Sequence, residues 1–191
     1  MSRLRPARKS GCDIGHGIAN LEKRHWLREI HPATHMNPRL EKAGIRDVTF
    51  GRNVTVVLPA NLYGCQIAAD CFIGPFVEIQ TGVTVGARTR IQSHCFVCEL
   101  VTIGDDCFIG HGVMFINDRL RSGGPARGDK GKWEQTRIGS NVSIGSNATI
   151  LPVTVTDHVV IGAGSVVTRD ITRPGTYAGN PARLIEASNP Q

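Results

Sequence analysis

Aromatic residues make up only 5% of the 191-residue chain, which suits a narrow core with many tight corners. No segment approaches the ~18 consecutive apolar residues of a membrane span, so neither a transmembrane helix nor a membrane partner is expected. The basic start, Met1 to Ser10, lacks the apolar run of a secretory signal, and the expected location is the cytoplasm. Lys and Arg outnumber Asp and Glu by 22 to 16, for a net charge of +6. That excess is scattered, with no basic stripe interleaved with aromatics, so nucleic acid is not an expected partner. A general attraction for an anionic small ligand remains.

What the chain does have is a period of six. From Ile67 to Phe115 an apolar residue returns at every sixth position: Ile67, Ile73, Ile79, Val85, Ile91, Val97, Ile103, Ile109 and Phe115. The fourth residue after each of the first eight is small or β-branched, as in Cys71, Val77, Thr89 and Val113. A helix returns residues to one face every three or four positions and a strand every two, so a strict six needs an element that turns a corner once per repeat. The expected fold class is therefore all-β. It is a triangular parallel β-solenoid in which each hexad forms one side, three make a coil, and Ile67, Val85 and Ile103 stack. Such repeats bury their apolar faces only against neighbours. The third residue after the anchor is often Gly, Asp or Asn, which tolerate the positive φ of a tight corner. Of the six cysteines, Cys65, Cys71, Cys95 and Cys107 fall where the repeat wants a small buried residue, the ordinary role of a free thiol. Cys95 and Cys98 form a lone C-x-x-C, but the repeat points Cys95 inward and Cys98 away from the core, so no metal or redox site is expected there.

Residues 1–46 show no sixfold pattern and form an N-terminal extension, with a short helix expected from Asn20 to Ile30. Loop signals follow at His31-Pro32 and Asn37-Pro38. His31 and His35 have the spacing of helical zinc ligands, but Pro32 and the lack of further ligands favour a surface pair. Met36 is a second candidate start of translation, the preceding segment being dispensable on that reading. The solenoid spans 47–172, with an irregular first coil. The ladder stops at Asn117, and residues 118–137 form a polar, Gly-rich, basic loop, longer than an idle connection would be. The ladder resumes at Ile138, Ile144 and Ile150, then at Val155, Ile161 and Val167. The step of five between Ile150 and Val155 predicts a lost corner residue beside Pro152. Residues 173–191 form a short C-terminal segment.

The hexads, the interrupting loop, Ile161-Gly162-Ala163-Gly164-Ser165-Val166-Val167 and Gly179-Asn180-Pro181-Ala182 resemble the left-handed β-helix hexapeptide acyltransferases. Ile91-Gln92-Ser93-His94 and the run from Ile109 to Asp118 are similar to the branch that N-acetylates nucleotide-linked amino sugars, with 3-amino sugars favoured. The resemblance implies left-handed coils, against the usual crossover rule, and a homotrimer with acetyl-CoA in grooves between subunits. It implies a nucleotide-linked amino sugar as substrate and no metal.

Acetyl transfer from a thioester needs a neutral nucleophile, a destination for its proton and donors for an oxyanion. His94 and His111 are the candidate bases, although in some members of this family the amine needs none. Glu99, where the family often carries an acid beside the sugar, would hold the amine or orient His94. Asn117 and Asp118, where the loop departs, resemble positions that contact the sugar, and the loop's Arg119, Arg121, Arg127, Lys130 and Lys132 have the sign for a diphosphate, with Trp133 to cover a ring. For the cofactor, Ser146, Ala148, Ala163 and Gly164 offer small outward residues to a pantetheine arm, and Arg169 and Arg183 would meet the phosphates of coenzyme A. The loop lacks the aromatic or larger aliphatic anchors of the sugar N-acetyltransferases. Two other readings stay open: a sugar or small-alcohol O-acetyltransferase, and a non-catalytic solenoid interaction module. A zinc carbonic anhydrase built on the same solenoid would need a closer histidine cluster than His94, His111 and His158 offer.

Overall fold

The sixfold ladder folds into short parallel strands that stack on three faces of seven, six and eight strands. The computed structural model describes residues 42–187; the helix expected from Asn20 to Ile30, the His31 and His35 pair and Met36 lie outside the described residues. Face A runs through Ile45–Arg46, Asn61–Tyr63, Glu78–Ile79, Phe96–Val97, Met114–Phe115, Thr149–Ile150 and Val166–Val167. Face B runs through Thr49–Phe50, Gln66–Ile67, Thr84–Val85, Val101–Ile103, Thr136–Ile138 and Thr154–Val155. Face C begins at Thr55–Val56 and continues through Phe72–Ile73, Arg90–Ile91, Phe108–Ile109, Ser143–Ile144 and Val159–Ile161 to Gly175–Ala178, with Arg183–Ala187 added antiparallel. Each coil thus crosses an A–B, a B–C and a C–A corner.

The register is the one the anchors dictate: Ile67 lies beside Val85, Val85 beside Ile103, and Ile103 beside Ile138. The anchors Ile73, Ile79, Ile91 and Ile109 are fully buried, each contributing about 1.5–3 kcal/mol of apolar burial. Strand pairing begins at Ile45, two residues before the expected start, because Ile45 pairs with the anchor Leu62. It also outlasts residue 172, since Gly175–Ala178 pairs in parallel with Val159–Ile161.

Corner chemistry is stricter than the sequence suggests. The third residue after the anchor has positive φ not only at Asp70, Gly82 and Asn147 but also at Phe76, Arg88, His94, Leu100 and His158. The geometry of the turn therefore overrides residue preference, which disfavours such conformations for residues with a Cβ. Between Ile150 and Val155 no residue adopts positive φ, as the step of five requires.

The fourth position after the anchor does more than fill space. The Cys95 thiol donates to the Gly110 carbonyl at 2.9 Å and the Cys107 thiol to the Gly139 carbonyl at 3.1 Å. The Thr89 hydroxyl donates to the Gly104 carbonyl at 2.9 Å. These side chains satisfy corner carbonyls of the next coil that would otherwise be buried without a partner. Cys98, in the corner slot after Val97, is covered: it is 2% exposed and packs with the buried cluster.

Burial pushes the Cys65 and Cys95 thiols up to about 11 and the Cys98 thiol up to about 12. A thiol that holds its proton more tightly when folded stabilises the fold below its ordinary pKa and loses that contribution as pH rises towards the folded value. Stability should therefore fall from about pH 9 upward, by about 1.4 kcal/mol per pH unit for each thiol that ionises on unfolding. Urea midpoints between about pH 8 and about pH 10.5, for the chain and for Cys98→Ala, measure this; a flat profile contradicts it.

Candidate active site

The C–A corner carries a column of candidates, one per coil: Ser93-His94, His111-Gly112, Ser146-Asn147 and Ala163-Gly164. Backbone bonds fix the column, with the His94 amide donating to the Pro75 carbonyl, Gly112 to Ser93, Asn147 to His111 and Gly164 to Ser146, at 3.1, 2.9, 2.8 and 2.8 Å. The coils approach closely where glycine follows the anchor, as after Ile109, Ile144 and Ile161: a Cβ on Gly110 would lie 2.7 Å from the Ser146 nitrogen, and one on Gly145 would collide with that of Ala163. Among the described residues no main-chain acceptor takes the amides of His111, Ser146 or Ala163; in the same slot on the B–C corner, the Ala87 amide donates to Asp105 and the Ser140 amide to Asp157, side chains of the next coil.

The two histidines are placed differently. His94 is exposed at φ 64° and its ring stacks on Phe76, with centroids 4.8 Å apart. His111 is exposed, and its Nδ1 lies 2.9 Å from the Ser93 hydroxyl one coil before. When Nδ1 carries the proton and donates to that hydroxyl, Nε2 is an acceptor facing solvent, the form a general base requires. Ser93 is thus a positioning residue that spacing alone does not single out. His158 stands on the B–C corner, away from both, and among the described residues no group of three or more His, Cys, Asp or Glu is arranged to hold a metal ion.

Ala148 departs from its expected outward place beside the cofactor. It is fully buried, because it is the fourth residue after Ile144, the inward slot. Ser146, Ala163 and Gly164 do lie at the surface of the column. Arg169 and Arg183 come together with Tyr177 and Leu184 around a recess of about 190 Å³ at the C-terminal end of the coils.

Glu99, Asn117, Asp118 and Arg119 gather on the A–B corner, a different edge of the prism from the histidines. Glu99 is held by its main chain: its amide donates to Gln80 Oε1 at 3.2 Å, and its carbonyl accepts from Asn117 Nδ2 at 3.2 Å. Gln80 is fixed in turn by Glu78, which also accepts from the Tyr63 hydroxyl at 3.2 Å. Burial and the Glu78 carboxylate beside it hold the Tyr63 phenol above its ordinary range. The Glu99 carboxylate meets Lys130 at 2.6 Å.

Two substrate assignments need correction. The Arg119 guanidinium donates to the carbonyls of Pro152 and Thr168 and faces Glu134. It ties the loop root to the following coils and is not available to a diphosphate. Asp118 accepts from the amides of Leu120 and Ala126 at 2.8 and 2.7 Å, so both its oxygens shape the loop. Arg121 is likewise paired with Glu134 at 3.0 Å.

Beside Glu99 a cleft of about 420 Å³ opens on the outer side of face A, lined by Gln80, Phe96, Cys98, Met114, Ile116 and Trp133 among others. Motif reading singles out Trp133 but not the apolar wall of Phe96, Met114 and Ile116, for which another signal exists. Glycine follows the anchor at Gly74, Gly86, Gly104, Gly110, Gly139, Gly145 and Gly162 on the other two corners, where Ala68, Gln92 and Thr156 depart from it, whereas the same slot on the A–B corner holds Gln80, Cys98, Ile116, Leu151 and Thr168. The A–B corner thus keeps a side chain where the other two are mostly crowded.

The comparisons agree with this architecture. The profile described as "Bacterial transferase hexapeptide (six repeats)" matches residues 64–99, and "Hexapeptide repeat of succinyl-transferase" matches 100–114 and 135–169. The bifunctional protein GlmU of Acidithiobacillus ferrooxidans is 29% identical over 153 residues, 75% of this chain and 33% of that protein. The chain thus spans about a third of the length of the curated relatives it matches. A galactoside acetyltransferase in complex with coenzyme A superposes with a TM-score of 0.56 at 32% identity, over 64% of each chain. A point mutant of AntD, an N-acyltransferase from Bacillus cereus in complex with dTDP and coenzyme A, superposes with a TM-score of 0.64 at 23% identity, over 74% of this chain and 84% of that one, and shares the fold. With hexapeptide-transferase profiles matching residues 64–114 and 135–169 and three stacked parallel faces beneath them, the chain carries the hexapeptide-repeat β-solenoid and is similar to the hexapeptide-repeat acyltransferases.

Proposed function

We propose that the chain is an acetyl-CoA-dependent N-acetyltransferase acting on a nucleotide-linked amino sugar. The observation that carries this reading is the C–A column, where His111, with Ser93 beside its Nδ1, stands one coil from the Ser146 amide and two from that of Ala163, neither taken by a main-chain acceptor among the described residues. Coenzyme A bound to the galactoside acetyltransferase, at 32% identity, supports the donor. The acceptor is read from Glu99 and the basic loop.

In the reaction, the acceptor nitrogen attacks the thioester carbon, a C–N bond forms and the C–S bond breaks. His111 Nε2 takes the proton the nitrogen sheds and passes it to the departing thiolate, so that free coenzyme A leaves as a thiol. The corner amides meet the oxyanion on the carbonyl carbon. Because His111 and Glu99 lie on different corners of one prism, a site using both draws them from two copies, which is compatible with the homotrimer that the family resemblance implies.

Release of thiol from acetyl-CoA, followed against a panel of nucleotide-linked 3-amino and 4-amino sugars and their hydroxyl counterparts, tests the reading. Turnover is expected with an amino sugar and not with its hydroxyl counterpart. Acetyl-CoA at about 100 times its Kd should also stabilise the fold by ~2.7 kcal/mol. Neither turnover nor stabilisation would leave a solenoid interaction module.

A further inference from the structure

The contact between Glu99 and Lys130 joins two residues of unequal freedom. Glu99 belongs to the scaffold: its peptide is pinned on both sides by Gln80 and Asn117, and its side chain is 21% exposed. Lys130 belongs to the inserted loop, starts the single 3-10 turn Lys130–Lys132 of the described residues, and is 64% exposed. Its ammonium lies 2.6 Å from the Glu99 carboxylate and 5.4 Å from the centre of the Trp133 ring. A fixed carboxylate beside an aromatic face is a receptor for a cation. The adjoining cleft, walled by Phe96, Met114 and Trp133, has room for a body attached to that cation.

We propose that Lys130 is a resident stand-in for the ammonium group of the acceptor, so that the acceptor enters by exchanging its own primary ammonium for that of Lys130 at Glu99. The inference rests on the transferase reading and deepens it: the acceptor is a primary amine, delivered in its charged form to Glu99 before it loses a proton. An ion pair with one largely exposed member is weak, which makes the exchange feasible. A lysine tethered to the same loop competes at a fixed local concentration. The loop thereby sets a threshold that a hydroxyl sugar, having no charge to offer, does not cross.

The probe is n-propylammonium, with n-propanol as its neutral counterpart, titrated onto the full chain and followed by ligand-detected NMR. Lys130→Ala should bind n-propylammonium about fivefold more tightly than the unaltered chain. Lys130→Met, which keeps the apolar stem over Trp133, should show the same gain. Adding Glu99→Gln to either variant should abolish binding, and n-propanol should bind none of them differently. No detectable binding to the Lys130 variants, no gain over the unaltered chain, or an equal gain for n-propanol overturns the exchange. Acetyl-CoA takes no part in the titration, so its failure leaves the transferase reading standing. Failure of the thiol-release assay beside a successful titration would leave an ammonium site without acetyl transfer.

Discussion

Replacing His111 by alanine is expected to lower kcat by about 10²–10⁴-fold, the range of a positioned general base, with little change in the KM for acetyl-CoA. His111 is exposed at a corner of a rigid scaffold, its Nδ1 lies 2.9 Å from the Ser93 hydroxyl, and in the tautomer protonated at Nδ1 its Nε2 is the acceptor. Ser93→Ala leaves the ring in place but frees its tautomer, so it should produce a smaller loss that His111→Ala does not add to. His94→Ala serves as the contrast, because that ring is stacked on Phe76 at 4.8 Å and has no hydrogen-bonding partner to orient it among the described residues. Steady-state kinetics with the acceptor found in the panel decide the matter. A loss below about tenfold for His111→Ala removes this histidine from the proton path and leaves the departing thiolate as the base.

The scaffold is legible because its information is local and repeated. Ile67, Val85 and Ile103 stack as their spacing requires, and the loop begins where the ladder breaks. The side-chain roles are less legible for three physical reasons. Inward and outward slots differ by a single position, so Ala148, small like its neighbours Ser146 and Ala163, reads as an outward residue although its slot faces the core. Charge says nothing about partners, and Arg119 and Arg121 meet Glu134, and Lys130 meets Glu99, through loop folding that no spacing encodes. Positive φ at Phe76, Arg88 and Leu100 is imposed by the coil, against those residues' own preferences. The run of Gln80, Cys98, Ile116, Leu151 and Thr168 in the slot where the other corners mostly hold glycine is, by contrast, visible in the sequence and marks the corner beside the cleft.

Gly145→Ala is expected to destabilise the fold by about 1–3 kcal/mol, or more, and to weaken acetyl-CoA binding with it. Gly145 does not have positive φ, so the cost is crowding: the new methyl carbon would collide with the Ala163 nitrogen and lie 2.7 Å from its Cα and 2.8 Å from the Gly162 carbonyl carbon. These are backbone atoms of the next coil and cannot swing aside. Gly164→Ala is the matched control, since its Cβ would meet nothing within 4 Å but its φ is +67°; its cost is the left-handed conformation alone, about 1–2 kcal/mol. In a solenoid each coil is held chiefly by its neighbours, so strain at one junction weakens that junction and little else. Hydrogen exchange should therefore show Gly145→Ala loosening the strands from Val159 onward while the coils before Gly110 keep their protection. If both variants lose protection uniformly, the coils behave as one cooperative unit and the local crowding account fails. If only the last coils open, the amide of Ala163 is displaced with them, and the loss of acetyl-CoA affinity places that amide at the donor site.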